Sequence, residues 1–180
     1  NSMSDSYFIV DKTRNVLSVA INRPEKRNAL SREALAELEQ IFKQHSKDPD
    51  LVASILTGAG DKSFAAGGDL QDFDLIRSEE DASNMSVLGF NALQAIKQFP
   101  VPVIAAVNGV ALGGGAELAL ACDFRIAAAQ AKIGFIQCKL GLSSSWGGSI
   151  YLAERIGSSN ALQLLATGQV LEASSALALS

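Results

Sequence analysis

The order of the predicted secondary-structure elements constrains the fold of this chain more than any other feature. Short apolar runs rich in β-branched residues alternate with segments whose apolar residues recur at helical spacing. The predicted strands are Tyr7–Val10, Val16–Ile21, Leu51–Thr57, a short strand near Phe64, Val103–Val107, Asp123–Ala127 and Ile133–Phe135. The predicted helices are Leu30 to about His45, a segment from Leu88 to Phe99, Ala116–Ala121, Trp146–Ile156, Ala161–Thr167 and Leu171–Leu179. Strand, strand and helix therefore recur about four times, which predicts one α/β domain.

Composition restricts the kinds of partner. Hydrophobic residues make up 48% and charged residues 19% of the chain, as in a globular protein. A net charge of −4 gives no general attraction to nucleic acid or to an anionic membrane, and we predict neither partner. No apolar run reaches the roughly 18 residues that a membrane span requires. Cys122 and Cys138 fit no metal-binding spacing and are interpreted as reduced core residues of a cytoplasmic protein.

The chain start carries no targeting signal that we can identify. Asn1-Ser2-Met3-Ser4 lacks a basic stretch followed by an apolar one, as a secretory signal would have. We interpret residues 1–6 as a disordered N-terminus or a tag remnant, and residues 7–180 as the core domain.

Two glycine-bearing turns carry the strongest chemical signal. The first is Phe64–Leu70 and the second is Asn108–Glu117, and each follows a predicted buried strand. In the second turn, three consecutive glycines open a helix, where unpaired N–H groups favour negative charge. One N–H from each turn, aimed at the same point, would form an oxyanion hole. Either turn alone also fits an ordinary tight turn, and neither matches a nucleotide-binding loop.

These residues carry a resemblance to a known family. The segment Ile21–Leu30, the Phe64–Leu70 turn and the run from Asn108 through Glu117 to Cys122-Asp123 resemble the enoyl-CoA hydratase/isomerase (crotonase) family in order and spacing. The resemblance implies a crotonase-like spiral of repeated β-β-α units. Family members usually continue into further C-terminal helices, so it also implies that this chain is C-terminally truncated. It further implies self-association as a trimer or a pair of trimers.

The resemblance implies roles for particular residues. Gly68 and Gly114 occupy the two oxyanion-hole positions and would act through their backbone N–H groups. The CoA moiety would lie along a set that matches the family's CoA-binding region: Lys26, Arg27, Ala29, Ala66 and Leu70. Lys26 and Arg27 are equally well explained as solvated loop charges.

Two further positions decide the chemistry that is expected. Glu117 matches one of the two hydratase glutamates; a carboxylate in the first turn of a helix can also serve the helix dipole, but beside an oxyanion hole we favour general acid/base catalysis. Gln137 stands where the resemblance places the second glutamate, and an amide cannot ionise. A standard hydratase is therefore not the first expectation.

The run Ser143–Gly148 resembles the ethylmalonyl-CoA decarboxylase branch of the family. Losing carbon dioxide from a malonyl-type thioester produces the enolate directly and needs no activated water. Trp146, within this run, is interpreted either as a wall or lid of the pocket or as ordinary packing.

The sequence thus predicts an enzyme that processes an acyl-CoA thioester through a stabilised enolate. Decarboxylation ranks first, double-bond isomerisation second and hydration third. A catalytically weak acyl-CoA-binding or assembly module is the alternative of another class. We predict no metal, and no cofactor other than the CoA of the substrate.

Overall fold

The computed structural model describes residues 6–179, so the predicted N-terminal tail falls largely on residues 1–5, outside the described part. The first two β-β-α units comprise β1 (Phe8–Thr13), β2 (Val16–Ile21), α1 (Arg32–His45), β3 (Ala53–Gly58), β4 (Ser63–Ala65), α2 (Leu70–Phe73) and α3 (Glu79–Lys97). The next two comprise β5 (Val103–Val107), β6 (Val110–Leu112), α4 (Gly114–Ala121), β7 (Phe124–Ala127), β8 (Lys132–Gly134) and α5 (Gly148–Ile156). They are followed by α6 (Ser158–Thr167), β9 (Val170–Glu172) and α7 (Ala173–Leu177). The predicted α/β class with repeated β-β-α units is confirmed.

The units share their strands between two sheets. The larger sheet has the order β1-β2-β3-β5-β7, in which only the β1–β2 pair is antiparallel. The smaller sheet has the order β4-β6-β8-β9, with β9 antiparallel to β8. In the second, third and fourth units the first strand therefore joins the larger sheet and the second strand joins the smaller one. This spiral places the loops that follow β4 and β6 beside each other.

Helix α1 shows how local sequence signals produce an element. Its apolar residues recur every three to four positions and are buried: Ala34, Leu35, Leu38, Ile41 and Phe42. Ser31 caps the helix by accepting a hydrogen bond from the N–H of Ala34, as predicted. Because the cap satisfies an otherwise unpaired donor and the apolar face packs on the core, the helix begins and ends close to the predicted positions.

Three predicted elements differ from the structure. Strand β1 runs to Thr13, and the turn is reduced to Arg14 and Asn15, both with positive φ. The polar end of β1 is tolerated because β1 is an edge strand whose residues 9–13 are all exposed. Helix α3 begins at Glu79, nine residues before the predicted start, because Ser78 and Asp81 form a capping box ahead of a polar first half. The predicted helix Leu171–Leu179 is wrong in its first part, since residues 170–172 pair with β8 as β9.

The core lies between the larger sheet and the helices, and its largest fully buried side chains include Phe42, Phe64, Leu56 and Leu93. Phe42 and Phe99 meet edge to face with their ring centroids 5.1 Å apart. Along residues 6–179, no helix has both the length and the apolar character that crossing a bilayer would need.

Candidate active site

The two glycine turns meet next to each other. A Cβ atom placed on Gly67 would lie 3.2 Å from the carbonyl oxygen of Leu112 and 3.9 Å from the backbone nitrogen of Gly114. Gly67 has φ +109° and Gly113 has φ +53°, which are conformations that only glycine adopts without strain. The close approach of the two turns therefore depends on glycine at both positions.

The backbone N–H groups of Gly68 and Gly114 have no hydrogen-bond partner among residues 6–179. Around Gly68, the neighbouring groups are occupied instead: the carbonyl of Gly67 accepts from Leu30 N–H at 2.8 Å, and the N–H of Asp69 donates to Leu30 at 2.9 Å. Gly114 is the first residue of α4, so its N–H belongs to the unpaired donors of a helix start. Both N–H groups are thus available to an oxygen of a ligand.

Asp69 holds the first turn in place. Its carboxylate caps α2 by accepting from Gln71 N–H at 3.1 Å, and it pairs with the guanidinium of Arg23 at 2.9 Å. Burial alone would raise the pKa of this carboxyl, but the hydrogen bonds from Gln71 and Arg23 lower it below its usual value. Asp69 is therefore ionised at neutral pH and engaged in structure.

Two asparagines organise the loops around the site, and sequence analysis gave them no role. The buried amide of Asn28 donates to the carbonyls of Ala59 and Ser63 at 3.0 and 2.8 Å. The amide of Asn108 donates to the carbonyls of Gly58 and Gly60, both at 2.9 Å. The signal that could have identified them is an asparagine next to a turn, since its side chain replaces missing backbone partners.

A cavity of about 470 Å³ lies at the junction of the two turns. It is lined by Gly68, Gly114, Glu117, Gln137 and Trp146 together with apolar side chains from α2, α3 and the loop before α5, among them Phe73, Met85 and Leu142. Glu117 is the only lining residue with a carboxyl group in the described part of the chain. This combination of an apolar cavity with few polar groups is typical of a ligand site.

Glu117 is only 2% exposed, and its two carboxylate oxygens have different surroundings. Oε1 accepts hydrogen bonds from the hydroxyl of Ser144 and from the N–H of Gly148, the latter at 3.0 Å. Oε2 accepts one bond, from the side-chain amide of Gln137 at 3.2 Å. Gly148 has to be glycine, because a Cβ there would lie under 3.0 Å from three atoms of the Glu117 side chain.

The balance of these influences sets the protonation of Glu117. Burial raises the pKa of its carboxyl above the usual value, and the hydrogen bonds from Ser144, Gly148, Trp146 and Gln137 only partly oppose it. All of these donors are uncharged. The protonated and ionised forms of Glu117 therefore coexist at a pH closer to neutral than those of an exposed glutamate do.

Gln137 lies beside Glu117, in the short 3-10 turn Gln137–Leu140. Its Nε2 faces Oε2 of Glu117, while its own Oε1 is buried and has no partner among the described residues. The amide can orient the carboxyl but cannot supply a second proton.

Trp146 is both a cavity wall and a packed side chain. It is 3% exposed and lines the cavity. A Cβ on Gly89 of α3 or on Gly114 of α4 would lie under 3.0 Å from its indole ring, and one on Gly68 would lie 3.7 Å away. The ring therefore fills a slot that two glycines leave open between α3 and α4.

The five predicted CoA-binding residues divide into two groups. Ala66 and Leu70 line the cavity, and the Leu70 side chain is largely exposed. Lys26, Arg27 and Ala29 do not line it, but Arg27 joins the first turn through its carbonyl, which accepts from Ala66 N–H at 3.1 Å. Lys26 donates to the side chain of Gln71 at 2.7 Å.

Asp72 and Asp74 follow the first glycine turn in the chain, and neither lines the cavity. The carboxylate of Asp72 instead accepts from the backbone N–H of Arg32 at 2.7 Å, at the start of α1.

A larger cavity of about 680 Å³ lies against another side of α4. Its lining is mostly apolar, including Ala119, Leu120 and Leu164, with Arg125, Glu154 and Arg155 among the charged members. It contains neither glycine turn, so it offers no pair of free N–H groups. The smaller cavity is therefore the candidate active site.

Comparison with known proteins agrees with this geometry. Residues 11–179 match the model of the enoyl-CoA hydratase/isomerase family. The chain is 39% identical to a short-chain-enoyl-CoA hydratase of Clostridium acetobutylicum over 94% of its own length and 64% of the relative's. It is 40% identical to a crotonyl-CoA hydratase of Syntrophomonas wolfei, covering 97% of this chain and 66% of the relative.

Solved structures show the same fold. An enoyl-CoA hydratase from Bacillus anthracis superposes with a TM-score of 0.92 at 38% identity, covering 97% of this chain and 67% of that one. The protein DspI of Pseudomonas aeruginosa superposes with a TM-score of 0.92 at 34% identity, covering 99% of this chain and 72% of that one. The chain thus spans just under two thirds of the two hydratase sequences, 64% and 66%. On its sequence and its fold, the chain belongs to the enoyl-CoA hydratase/isomerase family.

Proposed function

We propose that the site binds an acyl-CoA thioester, holds the thioester oxygen against the N–H groups of Gly68 and Gly114, and moves protons with Glu117. The observation that carries this proposal is that one cavity is lined by Gly68 and Gly114, whose N–H groups have no partner among residues 6–179, and by the buried carboxyl of Glu117. Negative charge that develops on the thioester oxygen would be stabilised by N–H donors that are already in place. The α-carbon of such an enolate is the atom that then takes up a proton.

Hydration of an enoyl-CoA is the reaction that the relatives favour, since both compared hydratases are named for it. In this reaction, ionised Glu117 takes a proton from water while the water oxygen bonds to the β-carbon, and the electrons of the double bond move onto the thioester oxygen. Protonated Glu117 then returns the proton to the α-carbon and becomes a carboxylate again. One carboxyl serves as base and then as acid, and its raised pKa suits both roles.

Decarboxylation of a malonyl-type thioester, which the sequence analysis placed first, is the second candidate. The observation that favours it is Gln137, because this reaction needs no second acid or activated water. The bond to the carboxylate breaks, its electron pair forms the enolate as carbon dioxide leaves, and protonated Glu117 gives its proton to the α-carbon. Solvent then restores the proton on Glu117.

The two reactions are separated by assaying enoyl-CoA and malonyl-type thioesters with the same protein. Loss of the conjugated double bond reports hydration, and release of carbon dioxide reports decarboxylation. Glu117→Gln keeps the shape but removes the transferable proton, so turnover on the true substrate should fall by about 10²–10⁴-fold. Glu154→Gln removes an exposed carboxyl outside the site and serves as the matched control.

The same variants test the alternative of a catalytically weak acyl-CoA-binding module. Thioester binding in the micromolar range without turnover of any member of the panel would support the module and contradict the enzyme. Full turnover by Glu117→Gln would contradict the role of Glu117. Self-association as a trimer or pair of trimers stays a prediction, which light scattering tests.

A further inference from the structure

Ser144 lies behind the candidate site and contacts its carboxyl without lining the cavity. Its hydroxyl donates to Oε1 of Glu117, and its oxygen accepts the N–H of Ser149 at 3.0 Å. Ser144 is partly buried and is not among the residues that line the cavity. The Ser144 hydroxyl therefore makes one hydrogen bond as an acceptor, from α5, and one as a donor, to Glu117.

The N-terminus of α5 completes the arrangement. The N–H of Gly148, the first residue of α5, donates to the same Oε1, and Ser149 holds Ser144 from the next position. Oε1 thus receives the hydroxyl of Ser144 and the N–H of Gly148, Oε2 receives the amide of Gln137 at 3.2 Å, and the N–H of Trp146 also faces the carboxyl. A carboxyl oxygen with two donors has little free electron density for a further proton, so the two oxygens are chemically unequal.

We propose that Ser144 is a positioning residue that fixes Oε1 of Glu117, so that Oε2 is the oxygen that carries the proton to and from the substrate. The proposal rests on the proposed function, because it assigns an oxygen to the proton transfer described there. It goes beyond that function by giving a role to a serine that does not touch the substrate. Its chemistry is the ordinary one of orienting a catalytic group through a second side chain.

The groups around the carboxyl of Glu117 determine how mutation of Ser144 should change its pKa. Four donors face the carboxyl of Glu117. The side-chain amide of Gln137 comes from the 3-10 turn, and the hydroxyl of Ser144 and the N–H of Trp146 come from the loop that follows it. The N–H of Gly148 comes from the start of α5. None of these groups is charged or titrates near neutral pH. A change in the ionisation of Glu117 after mutation of Ser144 is therefore a direct effect of the lost hydroxyl.

The test compares Ser144→Ala with Ser144→Thr, which keeps the hydroxyl. In Ser144→Ala we expect kcat to fall by about 10–100-fold, the size implied by losing a hydrogen bond to a charged group, with KM little changed. Because the Ser144 hydroxyl lowers the pKa of Glu117, its removal should move the limb of the pH profile that reports Glu117 to higher pH. This is the acidic limb for hydration, which begins with ionised Glu117, and the alkaline limb for decarboxylation, which needs protonated Glu117. Ser144→Thr should restore both quantities. Ser149→Ala, which keeps the backbone N–H that Ser144 accepts, is the matched control.

A readout that needs no activity separates this proposal from the proposed function. The carboxyl of Glu117 is titrated by NMR in protein labelled with carboxyl-¹³C glutamate, and the signal is assigned with Glu117→Gln. A midpoint at higher pH in Ser144→Ala, but not in Ser144→Thr, supports the proposal even if no thioester is turned over, in which case the proposed function fails alone. An unchanged midpoint in Ser144→Ala overturns the proposal. If Ser144→Ala does not fold, Ser144→Val against Ser144→Thr gives the same comparison between side chains of equal shape.

Discussion

The packing of Trp146 against glycine makes a quantitative prediction about stability. Gly89 lies in the middle of α3, and a Cβ there would lie under 3.0 Å from three atoms of the indole ring. Gly89→Ala in the wild-type protein therefore overpacks the slot and should cost about 1–3 kcal/mol of the free energy of unfolding. Trp146→Ala empties the slot and should cost about 3–5 kcal/mol, the usual range for removing a buried Trp or Phe.

Combining the two changes should reverse the sign of the glycine substitution. Once the ring is gone, the new methyl group meets no indole, and alanine is favoured over glycine within a helix by about 0.5–1 kcal/mol. Gly89→Ala should then stabilise the Trp146→Ala protein slightly. The coupling between the two positions amounts to roughly 1.5–4 kcal/mol, larger than most pairs of neighbouring residues show.

Urea unfolding followed by circular dichroism measures all four proteins. Fluorescence is unsuitable, because Trp146 is the only tryptophan in the chain. Ser83→Ala, at an exposed position of the same helix, is the control and should change stability equally in both backgrounds. If Gly89→Ala costs the same with and without the tryptophan, Trp146 does not occupy the slot between α3 and α4, and the cavity wall described above is wrong.

Three other predictions concern charge and reactivity. The pKa of Glu117 is raised in the native protein, so between the ordinary glutamate pKa and the raised value the native state keeps a proton that the unfolded chain has lost. This contribution to stability is complete below the pKa of the unfolded chain and is lost as the pH rises through the raised native pKa. In urea unfolding across that window, the free energy of unfolding of the wild type should therefore fall relative to that of Glu117→Gln. A rise would contradict the burial of this carboxyl. Gln137→Glu places a second carboxyl beside Oε2 and should increase hydration of a short enoyl-CoA in a spectrophotometric assay, and no gain would mean that the loop Ser143–Gly148 is built for another reaction. Burial raises the pKa of the Cys122 thiol to about 12, whereas the prediction of Cys138 as a core residue is wrong, since it is exposed in the 3-10 turn Gln137–Leu140. A thiol reagent should therefore titrate one cysteine in the native protein and two in urea.

Elements whose signals are local could be predicted from the sequence. Helix α1 has a serine cap and an apolar residue at every turn, and the structure places both as expected. The first half of α3 lacks such a pattern, since residues 79–84 are acidic or small and polar apart from one alanine, and the capping box alone defines its start. Strand β9 depends on pairing with β8, including the ion pair of Lys132 with Glu172 at 3.0 Å, so its local sequence does not reveal it.

The candidate site divides in the same way. Gly68, Gly114 and Glu117 were brought together by the family resemblance of the two glycine turns, and all three line the same cavity. The donors to Glu117 could not, since Ser144 and Gly148 lie 27 and 31 residues further along the chain and reach the carboxyl only through the packing of α5 on α4. The pKa of Glu117 depends in the same way on distant residues, since burial raises it and this set of donors partly opposes the rise.

Under the proposed function, Gln137 stands where the family resemblance implies a second acid, and this changes what the remaining carboxyl has to do. With two acids, one can activate water while the other delivers a proton, and neither needs to change its state within the step. With one acid, Glu117 must accept and release the proton through the same oxygen, so rotation of the carboxyl between the two events would move the proton away from the substrate. In the arrangement that we propose, the donors from Ser144 and Gly148 to Oε1 oppose that rotation, and Oε2 stays able to bind a proton. The proposal thus gives the amide at position 137 and the serine at position 144 one purpose, which is to let a single carboxyl act twice from a fixed position.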